Sequence, residues 1–158
     1  MDTATCAYIA GFLDGDGSII FQIVPRKDYK LRFQIRASIC FYQSVKNSHG
    51  IVWLKRRLKV GYVRVRGSIV DYTIVGLDNV RAILEAIQPH VVFKRLQVER
   101  GLELLTTLES QMSPEALIHA ATLVDKFATL NYSKTKHIDA QTVKRFLRVD
   151  PQTAGLGG

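Results

Sequence analysis

Two aspartates, Asp14 and Asp16, stand one glycine apart at the end of an apolar stretch that runs from Ala4 to Asp14. If the stretch is a helix, both carboxylates sit at its C-terminal end, where they oppose the helix dipole. Stability disfavours them there, which is the pattern of a functional position. A tight turn would account for the Asp-Gly pairs with no chemistry. A calcium loop of the EF-hand type would need Gly where Ile19 stands and Glu where Pro25 stands, and is excluded. A general acid/base pair would need a small-molecule pocket that nothing in the sequence supplies. The histidines at 49, 90, 119 and 137 have no metal-ligand spacing and read as ordinary surface or core residues. Ala7, Gly11 and Gly15 recur every four residues, so one face of the helix is bare. Small residues at this spacing let two backbones approach closely, although packing against the chain's own core is the commoner use. Should two such helices pair about a two-fold axis, two Asp16 side chains would meet at its centre.

The elements that position these residues follow from the periodicity. Residues 4–14 read as a helix capped by Thr3 and ended by Gly15 and Gly17. From Ser18 the period becomes two, with Ile19, Phe21 and Ile23 opposite Ser18, Ile20, Gln22 and Val24. A turn around Pro25 and Asp28 leads to a second strand. Its apolar face is Phe33, Ile35, Ala37, Ile39 and Phe41, and its other face Arg32, Gln34, Arg36, Ser38, Cys40 and Tyr42. Residues 44–59 read as a helix carrying Ile51, Leu54 and Leu58. Strands at Tyr62–Arg66 and Ile69–Val75 and a helix over 78–88, ended by Pro89, repeat the pattern. Further helices are expected over 94–109, over 114–130 with Ser113-Pro114 at its start, and near 140–148. The fold class is therefore α/β of the α+β kind. An αββαββα core carries one antiparallel four-stranded sheet with helices on one face, and additional helices follow. One domain over 1–150 and a disordered tail over 151–158 are expected.

Charge bears on the partner. The 158 residues carry a formal net charge of +8. Between Arg26 and Arg66 the basic residues are Arg26, Lys27, Lys30, Arg32, Arg36, Lys46, Lys55, Arg56, Arg57, Lys59, Arg64 and Arg66, against one acid, Asp28. A polyanion is the direct physical partner, while a merely solvated basic surface explains net charge equally well. The residue types tip the balance. The face of the sheet away from the core presents Gln22, Arg32, Gln34, Arg36, Ser38, Tyr42, Arg64, Arg66, Asp71 and Thr73. Arg and Gln are the side chains that make paired hydrogen bonds to guanine and adenine edges, and a two-stranded ribbon fits the major groove. No apolar run approaches the roughly 18 residues of a membrane span, and the N-terminus lacks a secretory pattern. Cys6 and Cys40 form no disulfide framework and read as reduced thiols in an intracellular protein.

The stretch Ile9-Ala10-Gly11-Phe12-Leu13-Asp14-Gly15-Asp16-Gly17 resembles the motif that names the LAGLIDADG homing endonucleases. So do Tyr62-x-Arg64-x-Arg66-Gly67-Ser68-x-x-Asp71-Tyr72, the helix ending at Pro89 with Lys94 beyond it, and Leu130-Asn131-x-Ser133-Lys134-Thr135, which resemble the single-motif, intron-encoded members. The resemblance spans the chain to about residue 148. It implies a site-specific endonuclease that makes a staggered, metal-dependent double-strand cut at a long, roughly palindromic DNA target and so promotes intron homing. With one motif per chain, cutting both strands implies a homodimer.

By the same resemblance Asp16 ligates metal with the Gly15 carbonyl assisting, Gln43 and Lys94 complete the catalytic pocket, and Asp14 orients the paired helices. Ala7, Ala10, Gly11 and Asp14 are assigned to the dimer helix. Mg²⁺ is the implied cofactor, Mn²⁺ a substitute, and Ca²⁺ an ion that binds without fast cleavage. No small-molecule cofactor and no membrane are implied, and the compartment is a chloroplast or mitochondrion. DNA contacts are expected from Ser18, Ile20, Gln22, Val24, Arg26, Tyr29, Arg32, Gln34, Arg36, Ser38, Cys40, Tyr42, Lys46, Asn47, Arg64, Arg66, Asp71 and Thr73. Ser133, Lys134, Thr135 and Lys136 are expected to grip phosphates. One departure is Asn47, where the family carries a basic residue; Lys46 beside it is the candidate substitute. A binding relative that has lost cleavage, such as a maturase or repressor, is the alternative that Asn47 supports. A basic interaction domain explains neither the Arg/Gln face nor the aspartates.

Overall fold

The computed structural model describes residues 1–108, 113–131 and 138–149. Its elements run α1 Thr3–Asp16, β1 Gly17–Pro25, β2 Phe33–Ser44, α2 Ser48–Leu58, β3 Tyr62–Arg66, β4 Ile69–Val75, α3 Leu77–Ile87, α4 Arg95–Thr107, α5 Pro114–Ala128 and α6 Ala140–Val149. The αββαββα order and the three later helices agree with the periodicity. The strands form one sheet in the order β1-β2-β4-β3, with β4 antiparallel to both β2 and β3. The described residues fall into two compact units, Met1–Ile20 with Ala37–Leu105, and Phe21–Arg36 with the chain from Thr106 onward. The chain passes between them within β1 and within β2. The residues from Ser133 to Lys136 and the tail over 151–158 lie outside the described residues.

In the first unit α1 buries Cys6, Ile9, Ala10 and Leu13, the i, i+3, i+4, i+7 stripe of an amphipathic helix. The cap is Asp2, not Thr3: its carboxylate reaches forward to accept from the Thr5 N–H at 2.9 Å, leaving Thr3 as the first helical residue. The helix continues through Gly15 to Asp16, and the Gly17 N–H closes it on the Leu13 carbonyl. A Cβ at Gly17 would lie 2.8 Å from the Leu13 Cα, so only glycine lets the chain turn here from helix into strand. α3 buries Val80, Ile83, Leu84 and Ile87 and packs, like α2, on β4. Phe12 of α1 meets Phe41 of β2 with ring centres 5.5 Å apart.

The helix expected over 44–59 begins only at Ser48. Ser44 still belongs to β2, and a 3₁₀ turn covers Val45–Asn47. The cause is local polar competition for the backbone. The Gln43 side-chain oxygen accepts from the Ser44 N–H at 2.9 Å, and the Ser44 hydroxyl accepts from the Lys46 N–H at 3.3 Å. Leu58 is half-buried, while Ile51 and Leu54 form the buried stripe. At the other end of α3, Pro89 sits in a second 3₁₀ turn, Gln88–His90.

In the second unit Phe21 stacks edge-on against Phe127 of α5, and Phe33 against Phe146 of α6, at 4.9 and 5.4 Å. Ser113 caps α5 through the Ala116 N–H and Pro114 opens its first turn, as expected. The Asp125 carboxylate accepts from the Ala140 N–H at 2.9 Å and fixes the start of α6. Ile23 of β1 bridges to Ile138.

Candidate active site

The last turn of α1 holds its two aspartates in different ways. One carboxylate oxygen of Asp14 accepts from the backbone N–H groups of Val92 and Phe93 at 2.7 and 3.1 Å, and the other from that of Lys94 at 2.9 Å. The Lys94 amine donates to the Asp14 carbonyl at 2.6 Å. Asp14 thus pins α1 to the segment that leads into α4 of its own chain. Asp16, two residues on, is exposed and has no hydrogen bond or ion pair among the described residues. It lines a depression of about 480 Å³ together with Ala7, Tyr8, Gly11, Phe12, Gln43, Asn47, His49 and Gly50.

The structure brings Asp16, Gln43 and Asn47 together in this depression; Lys94 and Lys46 are not among its lining residues. Lys94 instead has its amine on the helix-end carbonyl, 80 residues away in sequence. Gln43 accepts through its side-chain oxygen from the Ser44 N–H at 2.9 Å and from the Asn47 amide at 3.4 Å. Its NH₂ has no hydrogen-bond partner among the described residues and remains available as a donor. His49 is the lining residue that sequence reasoning passed over: a lone histidine on the first turn of α2 carries no spacing signal. Asp16 offers hard oxygen, the Gly15 carbonyl is one of those a helix end leaves without an intrahelical partner, and the last turn of α1 has no basic residue. These donors fit a hard divalent cation that keeps most of its waters. Among the described residues no group of three or more His, Cys, Asp or Glu could hold an ion.

Beside Asp16 runs the bare face of α1. Ala7, Gly11 and Gly15 are exposed, and a Cβ built at Gly11 or Gly15 meets nothing within 4 Å. Among the described residues no packing demand of the chain itself explains glycine at 11 and 15. Ala10 does not belong to this face: it is fully buried on the opposite stripe. Tyr8 is exposed and meets Trp53 edge-on at 5.0 Å.

On β2 and β4, four residues that the alternation assigns to the outer face lie beneath the surface. Ser38, Cys40, Asp71 and Thr73 are buried. Register sets Arg64 opposite Asp71, and Tyr42 opposite it on the other side. The Asp71 carboxylate takes Arg66 Nε at 2.8 Å, Arg64 at 3.4 Å and the Thr73 hydroxyl at 3.2 Å. Thr73 in turn lies 3.5 Å from the Cys40 thiol. Two arginine side chains thus close over Asp71, while their guanidinium groups remain about half exposed. Burial, then the neighbouring Cys40 and Asp71, push the Tyr42 hydroxyl up to about 12, so it remains a hydrogen-bond donor. Ser18 and Ile20 alternate as half-buried residues on β1.

In the second unit Gln22, Val24 and Gln34 are half-buried and Arg36 is exposed. Arg32 is not on a strand: it closes the β1–β2 turn with a φ of 61° and donates to the Lys27 carbonyl. The same turn organises Arg26. Its Nε and Nη2 reach the Asp28 carboxylate at 3.1 and 2.9 Å, its Nη1 reaches the Gln34 side-chain oxygen at 3.1 Å, and its guanidinium lies 4.9 Å from the centre of the Tyr29 ring.

The chain matches known proteins in sequence and in fold. The model of the LAGLIDADG endonuclease family matches residues 9–93. The chain is 36% identical over 141 residues to the DNA endonuclease I-CreI of Chlamydomonas reinhardtii, covering 89% of this chain and 86% of that one. It is 33% identical over 148 residues to the DNA endonuclease I-CvuI of Chlorella vulgaris, covering 93% and 92%. A crystal structure of I-CvuI in complex with its target, in the presence of 2 mM Ca, superposes with a TM-score of 0.86 over 92% of this chain and 94% of that one. The chain belongs to the LAGLIDADG endonuclease family.

Proposed function

We infer that two copies of this LAGLIDADG endonuclease pair through the bare face of α1 and cut both strands of one long, roughly palindromic DNA target. The observation that carries the reading is the exposed, unpartnered Asp16 carboxylate beside exposed Ala7, Gly11 and Gly15. Pairing there would bring two Asp16 side chains toward one axis and supply the second carboxylate that a single chain lacks. Asp16 and the Gly15 carbonyl would hold a divalent ion, Mg²⁺ or Mn²⁺, which supplies an activated water and neutralises charge at the phosphate. The NH₂ of Gln43 and the amide of Asn47 would hold waters and phosphate oxygens in place. Lys94 acts through Asp14, by fixing the helix end that carries Asp16.

Recognition falls to arginine and glutamine side chains, Arg64 and Arg66 on β3 in one unit, and Arg26 in the β1–β2 turn with Gln34 on β2 in the other. Ser38, Cys40, Asp71 and Thr73 support from beneath rather than touch bases. Ser133, Lys134, Thr135 and Lys136 remain candidates for phosphate contact. Among the described residues no helix is long and apolar enough to cross a membrane. Cys6 and Cys40 are buried and unpaired, which suits a reducing intracellular compartment; an organellar one follows from the family alone.

The test has two stages. Duplexes are selected from a randomised library with the full chain in Ca²⁺, and the selected site is then placed on a plasmid. The reading expects linear plasmid in Mg²⁺ or Mn²⁺ and intact plasmid in EDTA. Equal cutting in EDTA would overturn the metal assignment. Selection without cutting in any metal would favour a non-cleaving relative, the reading that neutral Asn47 supports.

A further inference from the structure

Asp28 is the one acid between Arg26 and Arg66, the most basic stretch of the chain. A carboxylate there repels a polyanion. It does not hold the fold together either. The Arg26–Asp28 pair is exposed, at 43% and 64% of the two side chains, and exposed ion pairs contribute little to stability. A charge that weakens binding without stabilising the fold needs another reason.

The geometry supplies one. An unrestrained arginine on a turn samples many rotamers, and ordering it on binding costs entropy. Here Asp28 grips the guanidinium from one edge at 3.1 and 2.9 Å, Gln34 takes a second edge at 3.1 Å, and Tyr29 lies against its face. A guanidinium has five N–H donors. Three are committed, and two remain, the number a guanine O6/N7 pair accepts. Arg26 holds the Asp28 carboxyl well below its ordinary 3.8, at about 2, so the grip persists at every pH at which duplex DNA is handled.

We propose that Asp28 is a positioning residue for base recognition, which holds Arg26 so that its two free donors read a guanine in the major groove. The inference rests on the DNA-cutting reading above. It exchanges general affinity for selectivity: the carboxylate lowers attraction to every sequence and sharpens preference for one base.

Binding titrations of the full chain, at two salt concentrations, would use the duplex selected by the wild type and its single-base variants. Wild type should prefer guanine at one position per half-site by roughly ten- to a hundredfold. Arg26→Ala should abolish that preference. Asp28→Ala should reduce it to within about threefold, while affinity for the non-guanine duplexes rises. Asp28→Glu, which keeps a carboxylate, should recover more of the preference than Asp28→Asn. If Asp28→Ala keeps the full preference and shifts all affinities alike, Asp28 is only a surface charge and the proposal fails. It also fails if Arg26→Ala leaves every base preference unchanged. A wild type that selects no duplex would refute the DNA reading itself, a failure recognisable before any variant is made.

Discussion

The end of α1 and the β3–β4 hairpin both place aspartates among basic and polar neighbours, and treat them oppositely. On the hairpin, Asp71 is buried and saturated by Arg64, Arg66 and Thr73. At the helix end, Asp14 is saturated by three backbone N–H groups, whereas Asp16 is left open on a helix dipole that disfavours it. A carboxylate that holds structure is given all its partners by the chain. One left without partners is free to take one from outside, and the proposed reading makes that partner a divalent cation.

If that contrast is right, removing a saturated carboxylate should cost stability. Asp14→Ala would strand three N–H groups near Val92 and is expected to lower unfolding free energy by about 2–3 kcal/mol in a denaturant titration. No loss would mean that the 92–94 segment is held by other contacts. Asp71→Asn should cost about 1–3 kcal/mol and, by freeing two arginines, strengthen binding to unrelated DNA. Undiminished stability would show that the arginines do not need their anchor. Arg66→Ala should cost about 1–3 kcal/mol of binding per half-site and relax preference at particular base pairs; a loss uniform across single-base target variants would assign it to phosphates. The smallest effect on folding belongs to Gly11→Ala. A Cβ there meets nothing in the chain, so unfolding should be unchanged or up to about 1 kcal/mol more favourable to the fold. Sedimentation should nevertheless show a weaker dimer, and an unaltered dimer would move the interface elsewhere.

The sequence was most legible where one rule governs. The switch from helical to alternating period at Gly17, the apolar stripe of α3 and the Ser113-Pro114 start of α5 all read directly. It was least legible where exposure depends on a neighbour's length. Alternation sets Asp71 and Thr73 on the same face, but only the register with β3 shows Arg64 brought opposite Asp71 and Tyr62 opposite Thr73. Ala10 shares a motif with Gly11 yet faces the core, as the spacing of Cys6, Ile9 and Leu13 already implies. The Lys94–Asp14 contact joins residues too distant in sequence for any local pattern to reveal, and a lone His49 has no spacing signal to place it in the depression.

On the proposed reading Asp16 is kept unpaired for chemistry at a cost in stability. Its direct test is one variant, Asp16→Asn, measured for plasmid cleavage in Mg²⁺ alongside its thermal unfolding. Cleavage should vanish while binding to the selected duplex persists, and the fold should be as stable as wild type or more stable by about 0.3–1 kcal/mol, because a charge opposing the helix dipole is gone. Cleavage at the wild-type rate, or a marked loss of stability, would contradict the account.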